Sequence, residues 1–162
     1  MDPGTLAAWI GLGGTIGGAA MGAILPWALN RKVLVRNESY DRVTGSILAP
    51  KPNDTVGRTF ECSGVVTGMQ PGLRLWLAVE VGELVWPKES KVSPNEKNEW
   101  RTIVFEDGRS PNFSVALFLA DPAVDQRIAK WLENGRRTGT YADLRGIQGA
   151  RRIARVDGLH LT

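Results

Sequence analysis

Cysteine and histidine are nearly absent: the 162-residue chain carries one of each, Cys62 and His160. A single cysteine excludes an intrachain disulfide. Together the two leave too little material for a zinc site, so no metal is expected. Lysine is missing before Lys32, which excludes a Walker-type phosphate loop in the glycine-rich N-terminal stretch. No hydrolase, kinase or metal motif occurs, and no cofactor is implied. Internal repeats are lacking as well. The charged fraction of 23% and hydrophobic fraction of 43% are near globular averages, which argues against wholesale disorder. The length suits one ordinary domain plus an appendage.

The most telling absence is of charge. Between Asp2 and Arg31 there is no ionisable side chain, and Leu6 to Leu29 is predominantly apolar. Within it, "GLGGTIGGAAMG" offers two readings. A dinucleotide fingerprint fits Gly11 and Gly13 but meets Ile16 at the third glycine, and the few residues before it leave no room for a buried strand. A transmembrane helix needs roughly 20 apolar residues to cross about 30 Å of hydrocarbon. Trp9 and Trp27 are 18 positions apart, roughly 27 Å along a helix, which sets one indole near each interface. No basic residue precedes the stretch, and no small-x-small cleavage site follows it, so a signal peptide is not expected. The reading is a transmembrane helix over residues 1–30; a buried glycine-rich helix is the bland alternative.

Gly14, Gly18 and Gly22 recur every four residues and would bare one helix face for close packing. Self-association or docking on a partner helix is the expectation; simple filling of the span by small residues is its competitor. Arg31, Lys32 and Arg36 follow the span directly, and basic flanks stay cytoplasmic. The expected topology is single-pass in the cell membrane, with the N-terminus outside and the C-terminal domain in the cytoplasm.

Residues 31–45 read as a juxtamembrane linker, and residues 46–162 as a β-rich domain. "TVGRTFECSGVV" alternates, with Val56, Phe60, Cys62 and Val65 or Val66 as candidate inward positions. "LRLWLAVEV" alternates more strictly, with Leu73, Leu75, Leu77 and Val79 on one face and Arg74, Trp76, Ala78 and Glu80 on the other. "ELVWP", "EWRTIVFED" and "NFSVALFLAD" supply further short strands between turn residues. One helix interrupts them near 122–134: Asp121 caps it, Pro122 opens it, and Val124, Ile128, Trp131 and Leu132 form its stripe. Asn134-Gly135 is the expected stop. A final strand runs from about Arg152 to Val156, with another at Leu159 to Leu161. The fold class is mainly β, a sandwich or small barrel carrying one α-helix behind an N-terminal membrane helix.

Leu75-Trp76, Trp86-Pro87 and Trp100 ahead of a strand, within "VGRTFECSGVV", "GLRLWLAVEV", "WPKESKV", "NEWRTIVFEDG" and "FSVALFLAD", resemble small bacterial immunoglobulin-like modules of ill-defined function. Such modules are attached to membrane helices or effector domains in bacterial conflict systems. The likeness covers roughly residues 46–161. It implies a sandwich-like interaction or sensing domain and carries over no functional residue.

Chemistry is hard to find. Cys62 reads as a small buried hydrophobe. His160 lies on a terminal strand, where a histidine–carboxylate pair across strands stays open. Glu80, Glu83, Glu89, Glu96, Glu99, Glu106 and Asp107 read as a solvated surface, and "VFEDG" as a tight turn between strands. No enzyme is expected. From Arg127 to Thr162, eight basic residues face three acidic ones. Arg136, Arg137, Arg151 and Arg152 are therefore candidate contacts for a small anionic ligand or for lipid headgroups; nucleic acid is not favoured. Trp76, Trp86, Trp100 and Trp131 either pack inside the domain or form a stacking surface. Three functions compete: a membrane-tethered, non-catalytic interaction module, a sensor-effector that binds a signalling nucleotide and clusters in the membrane, and a surface carbohydrate binder. The first is the leading reading.

Overall fold

Apolar side chains at alternate positions, broken by Gly, Pro and Asn clusters, favour pleated strands buried on one face. Among the described residues of the computed structural model they make eight strands and one long helix. The structure describes residues 40–162 other than Arg109. The membrane helix, its packing face Gly14, Gly18 and Gly22, and the interface residues Trp9, Trp27, Arg31, Lys32 and Arg36 lie outside the described residues. Among the described residues, no helix is long and apolar enough to cross a membrane.

Strands β1 (Thr44–Ala49), β3 (Thr59–Thr67) and β6 (Glu99–Phe105) form an antiparallel three-stranded sheet in the order β1-β3-β6. Strands β2 (Thr55–Val56), β4 (Arg74–Val81), β5 (Leu84–Val92), β7 (Asn112–Ala120) and β8 (Arg151–Leu161) form a second sheet in the order β2-β8-β7-β4-β5. Only β2 pairs in parallel there, against the end of β8. The two sheets share one core. Phe60, Cys62, Val66, Trp100 and Val104 from the first meet Leu75, Leu77, Val79, Phe113, Val115, Leu117 and Leu159 from the second.

The helix α1 (Pro122–Thr138) adds a third layer. Asp121 accepts a hydrogen bond from the Val124 amide at 2.8 Å, Pro122 opens the first turn, and Arg136 and Arg137 sit in the last, where cations complement the helix dipole. Its apolar stripe, Val124, Ile128 and Leu132, packs on Trp76, Ala78, Ala116, Phe118 and Ala120, which project from the other face of the five-stranded sheet. Strands β4 and β7 are therefore buried on both faces. The alternation read in β4 holds, and of the two readings of its second face the covered one is observed, Trp76 and Ala78 lying under α1. Trp76 is 1% exposed, and its indole N–H reaches Asp125 Oδ1 at 2.9 Å. Burying an aromatic ring of that size contributes on the order of 3 kcal/mol.

Several boundaries differ from the sequence reading, each for a physical reason. The alternating run from Thr55 to Val66 is not one strand: β2 belongs to the second sheet and β3 to the first, so the chain crosses between sheets at Gly57–Arg58. Strand β5 runs on through Pro87 to Val92 instead of stopping there; β5 is an edge strand, where a missing N–H donor is tolerated. The last strand is continuous, with a bulge between Val156 and Leu159 in place of a break. Residues 40–45 are no linker, since the compact unit begins at Tyr40, and Tyr40 and Val43 are buried in the core.

The helix passes Asn134-Gly135 and ends four residues later at Gly139, whose φ of 71° supplies the left-handed cap. Gly135 is an interior, buried residue. A Cβ there would stand 2.1 Å from Cδ1 of Tyr141, so the bare backbone is where the Tyr141 ring folds onto the helix. That docking offsets the roughly 1 kcal/mol a glycine costs inside a helix.

Candidate functional site

Strands β5 and β6 are the edges of the two sheets that lie on the same side of the sandwich. An open cleft of about 840 Å³ runs there, within the range that holds a drug-sized ligand or a peptide side chain with its neighbours. Val79, Val81 and Phe113 line it from the inter-sheet core. Trp86, Pro87, Lys88 and Glu89 come from β5, Ile103 and Phe105 from β6, and Trp131 and Leu132 from α1; Tyr141 follows the helix. Ile103 is 51% and Phe105 58% exposed, the most exposed large apolar residues of the described chain.

The aromatic wall is built, not incidental. Trp131 and Tyr141 rings stack tilted, with centroids 5.2 Å apart. The Trp131 indole N–H donates to the Ala142 carbonyl at 3.1 Å, and the Tyr141 hydroxyl donates to Glu89 Oε1 at 3.3 Å. With their polar atoms engaged, the two rings offer a ligand chiefly π surface. Burial and the carboxylates of Glu89 and Asp107 push the Tyr141 phenol up from its ordinary value, Arg136 pulling the other way.

Polar groups enter through the loop after β6. "VFEDG" does not close a hairpin: β6 and β7 lie in different sheets, so the residues after Phe105 cross between them. Glu106 is buried there, against its reading as a solvated carboxylate. Its Oε2 accepts from Lys88 Nζ at 2.6 Å and its Oε1 from the Gly108 amide at 2.6 Å. One cationic partner and a backbone donor offset the cost of its burial. No spacing in the sequence pairs Lys88 with Glu106; only the meeting of the two sheet edges does.

Glu80 was misread in the same way. It is 5% exposed, accepts from Arg152 at both carboxylate oxygens, 3.1 Å each, and forms an ion pair with Arg155 at 3.2 Å. Arg155 also meets Asp157 at 2.5 Å, while Ser114 donates to Asp157 at 2.8 Å. These bonds, first that of Ser114, hold the Asp157 carboxyl below the usual carboxylate range.

The four arginines singled out from the sequence are placed apart by function. Arg136 lies 3.5 Å from Glu89, and Arg137 donates to the Asn134 side chain at 2.8 Å. Arg151 donates to the Val43 carbonyl, and Arg152 is held by Glu80. Each has an acceptor within the chain, and they do not converge on one cavity. His160 is exposed in β8 between Thr55 and Asn112. Cys62 is fully buried, and its thiol is pushed up to about 12 by burial, with Glu61 adding to the effect. Trp100 is 3% exposed in the inter-sheet core, so of the four tryptophans only Trp86 and Trp131 reach the cleft. Among the described residues, no three His, Cys, Asp or Glu side chains group closely enough to hold a metal ion.

No protein family and no curated protein matches this chain.

Proposed function

We propose that the chain is a membrane-tethered, non-catalytic interaction module, and that the cleft between the β5 and β6 edges is where a protein partner docks. The observation that carries this reading is an open aromatic cleft of about 840 Å³ whose rim leaves Ile103 and Phe105 more than half exposed. Contiguous exposed apolar surface with aromatic anchors and a polar rim is what protein docking sites present. The uncharged stretch between Asp2 and Arg31 supports the tether. In this reading the chain is single-pass with its domain in the cytoplasm, and Gly14, Gly18 and Gly22 pack against a second helix. The two-sheet architecture is compatible with an immunoglobulin-like module of a bacterial conflict or signalling system. The alternative, a sensor of a small anionic ligand, draws less support, because Arg136, Arg137, Arg151 and Arg152 all have internal acceptors.

A photoreactive amino acid placed at Phe105 in cells tests the docking. The expected result is a discrete crosslinked species from position 105 and none from Lys51, an exposed residue outside the cleft. Equal crosslinking from both positions, or none from 105, would reject the cleft as the docking face.

A further inference from the structure

Whatever docks in the cleft, we infer that residues 140–145, between the end of α1 and the start of β8, are a built-in cap on the β5 edge. They hold the place that a strand from a second copy of this chain would take. An open sheet edge is a template for pairing with another chain, and folds that keep one block it. Strand β5 ends the five-stranded sheet and has nine residues, long enough to pair. The sheet's other edge, β2, has only two, so β5 is the edge that needs protection.

In an antiparallel ladder, alternate residues turn their N–H and C=O away from the paired strand. Val85 is such a residue, because its amide donates at 2.8 Å to the carbonyl of Leu144, which belongs to no strand. Pro87, two positions on and opposite Ala78, is therefore the next to turn outward, and it has no N–H to offer. Beyond it, residues 88–90 stand against Leu77 alone, between the pairs Ala78–Pro87 and Trp76–Lys91. That bulge bends the edge away from a straight partner. Proline and bulge thus block the later positions of β5. The Val85 amide is the donor they leave, and it is the one Leu144 takes.

Burial does not explain why the segment lies there, since all of residues 140–145 except Leu144 are exposed. It is pinned instead. The Ala142 carbonyl accepts from the Trp131 indole at 3.1 Å. The Tyr141 ring sits on Gly135 and stacks on Trp131, and its hydroxyl reaches Glu89 of β5 at 3.3 Å. Gly139 and Gly146 bend the chain at either end, with φ of 71° and 102°. A Cβ at either would meet nothing within 4 Å, so the backbone turn alone calls for glycine there. The connection from α1 to β8 takes twelve residues, 139–150, about twice the common length. The added length carries it out to the β5 edge and back.

The test compares full-length chains in detergent micelles, with light scattering reporting mass across a concentration series. In one chain a glycine–serine stretch of equal length replaces residues 140–145, which removes the Tyr141 anchor. A second carries Pro87→Val, which restores an outward donor, and a third carries both changes. Pro87→Val alone should keep the mass of the parent, because the cap is still in place. The chain with the replaced segment should associate beyond the parent at high concentration. The combined chain should do so at about fivefold lower concentration, the effect of one added hydrogen bond. A combined chain no heavier than the parent at any concentration would overturn the cap. Equal association with and without Pro87→Val in the replaced chain would put the contact away from β5 and overturn it too. So would Pro87→Val alone matching the combined chain, since the segment would then block nothing. If far-UV circular dichroism shows that the replacement unfolds the domain, Tyr141→Ala takes its place in the series and is read by the same outcomes.

Discussion

Replacing Gly135 with alanine sets two effects of opposite sign against each other. In an unencumbered helix the change stabilises by up to about 1 kcal/mol, because glycine loses more backbone freedom on folding. Here the new Cβ would meet Tyr141 at 2.1, 2.3 and 2.8 Å, three carbons of one ring. Carbon atoms rest at about 3.5–4.0 Å, so the ring must retreat by more than 1 Å and leave its seat. The Trp131–Tyr141 stack then goes, worth about 0.5–1.5 kcal/mol. Tyr141 is 37% exposed, so most of its ring is covered; uncovering about 100 Å² costs roughly 2.5 kcal/mol more. Against the helix gain, the net loss is about 2–3 kcal/mol. Urea denaturation followed by far-UV circular dichroism should show Gly135→Ala less stable by that amount. Tyr141→Ala should be similarly destabilised. The double variant should be no worse than Tyr141→Ala alone, and better by up to about 1 kcal/mol, because the clash has no target left. If Gly135→Ala proves as stable as the parent chain or more so, the seating of Tyr141 on bare helix backbone is wrong.

Asp125→Ala should cost about 2 kcal/mol in the same assay, since it strands the buried Trp76 indole N–H and removes a carboxylate from the first helical turn; a change below about 0.5 kcal/mol would contradict the account. Asp157 has a folded pKa below its ordinary value, so its contribution to stability is full above the usual carboxylate range and is lost as pH falls through the lowered pKa. Asp157→Asn should therefore lower stability at neutral pH and change it little in strong acid, so that the acid limb of the stability–pH curve below about pH 4 becomes shallower. Cys62, buried and with its thiol pushed up to about 12, should resist a thiol reagent at pH 8 in the folded chain and react at once in denaturant.

Local chemistry was legible where one face of one element decided the outcome. The strict alternation from Leu73 to Val79 and the Asp121-Pro122 opening of α1 appear in the structure as the sequence implied. Boundaries failed where a distant contact outweighed local propensity. Gly135 is a stop signal in isolation, but the returning Tyr141 turns it into a packing site. Pro87 looks terminal, but the strand it interrupts lies at a sheet edge. The buried carboxylates were invisible for a related reason: Glu80 and Arg152 are 72 residues apart in the chain. Glu106 meets Lys88 only because two different sheets end side by side. Nothing in a one-dimensional pattern separates such acids from solvated ones. The cleft shares this origin. Its residues come from two sheet edges, two inner strands, a helix and two loops, so no contiguous motif announces it.

Hydroxyl-radical footprinting of the full-length chain, in native membranes and again after purification in detergent, tests the central claim most directly. Docking in the cleft predicts that Trp86, Phe105, Trp131 and Tyr141 label strongly in the purified chain and are protected in membranes. Leu48, 48% exposed and outside the cleft, should label alike in both. Equal labelling of the four cleft residues in the two preparations would contradict the account.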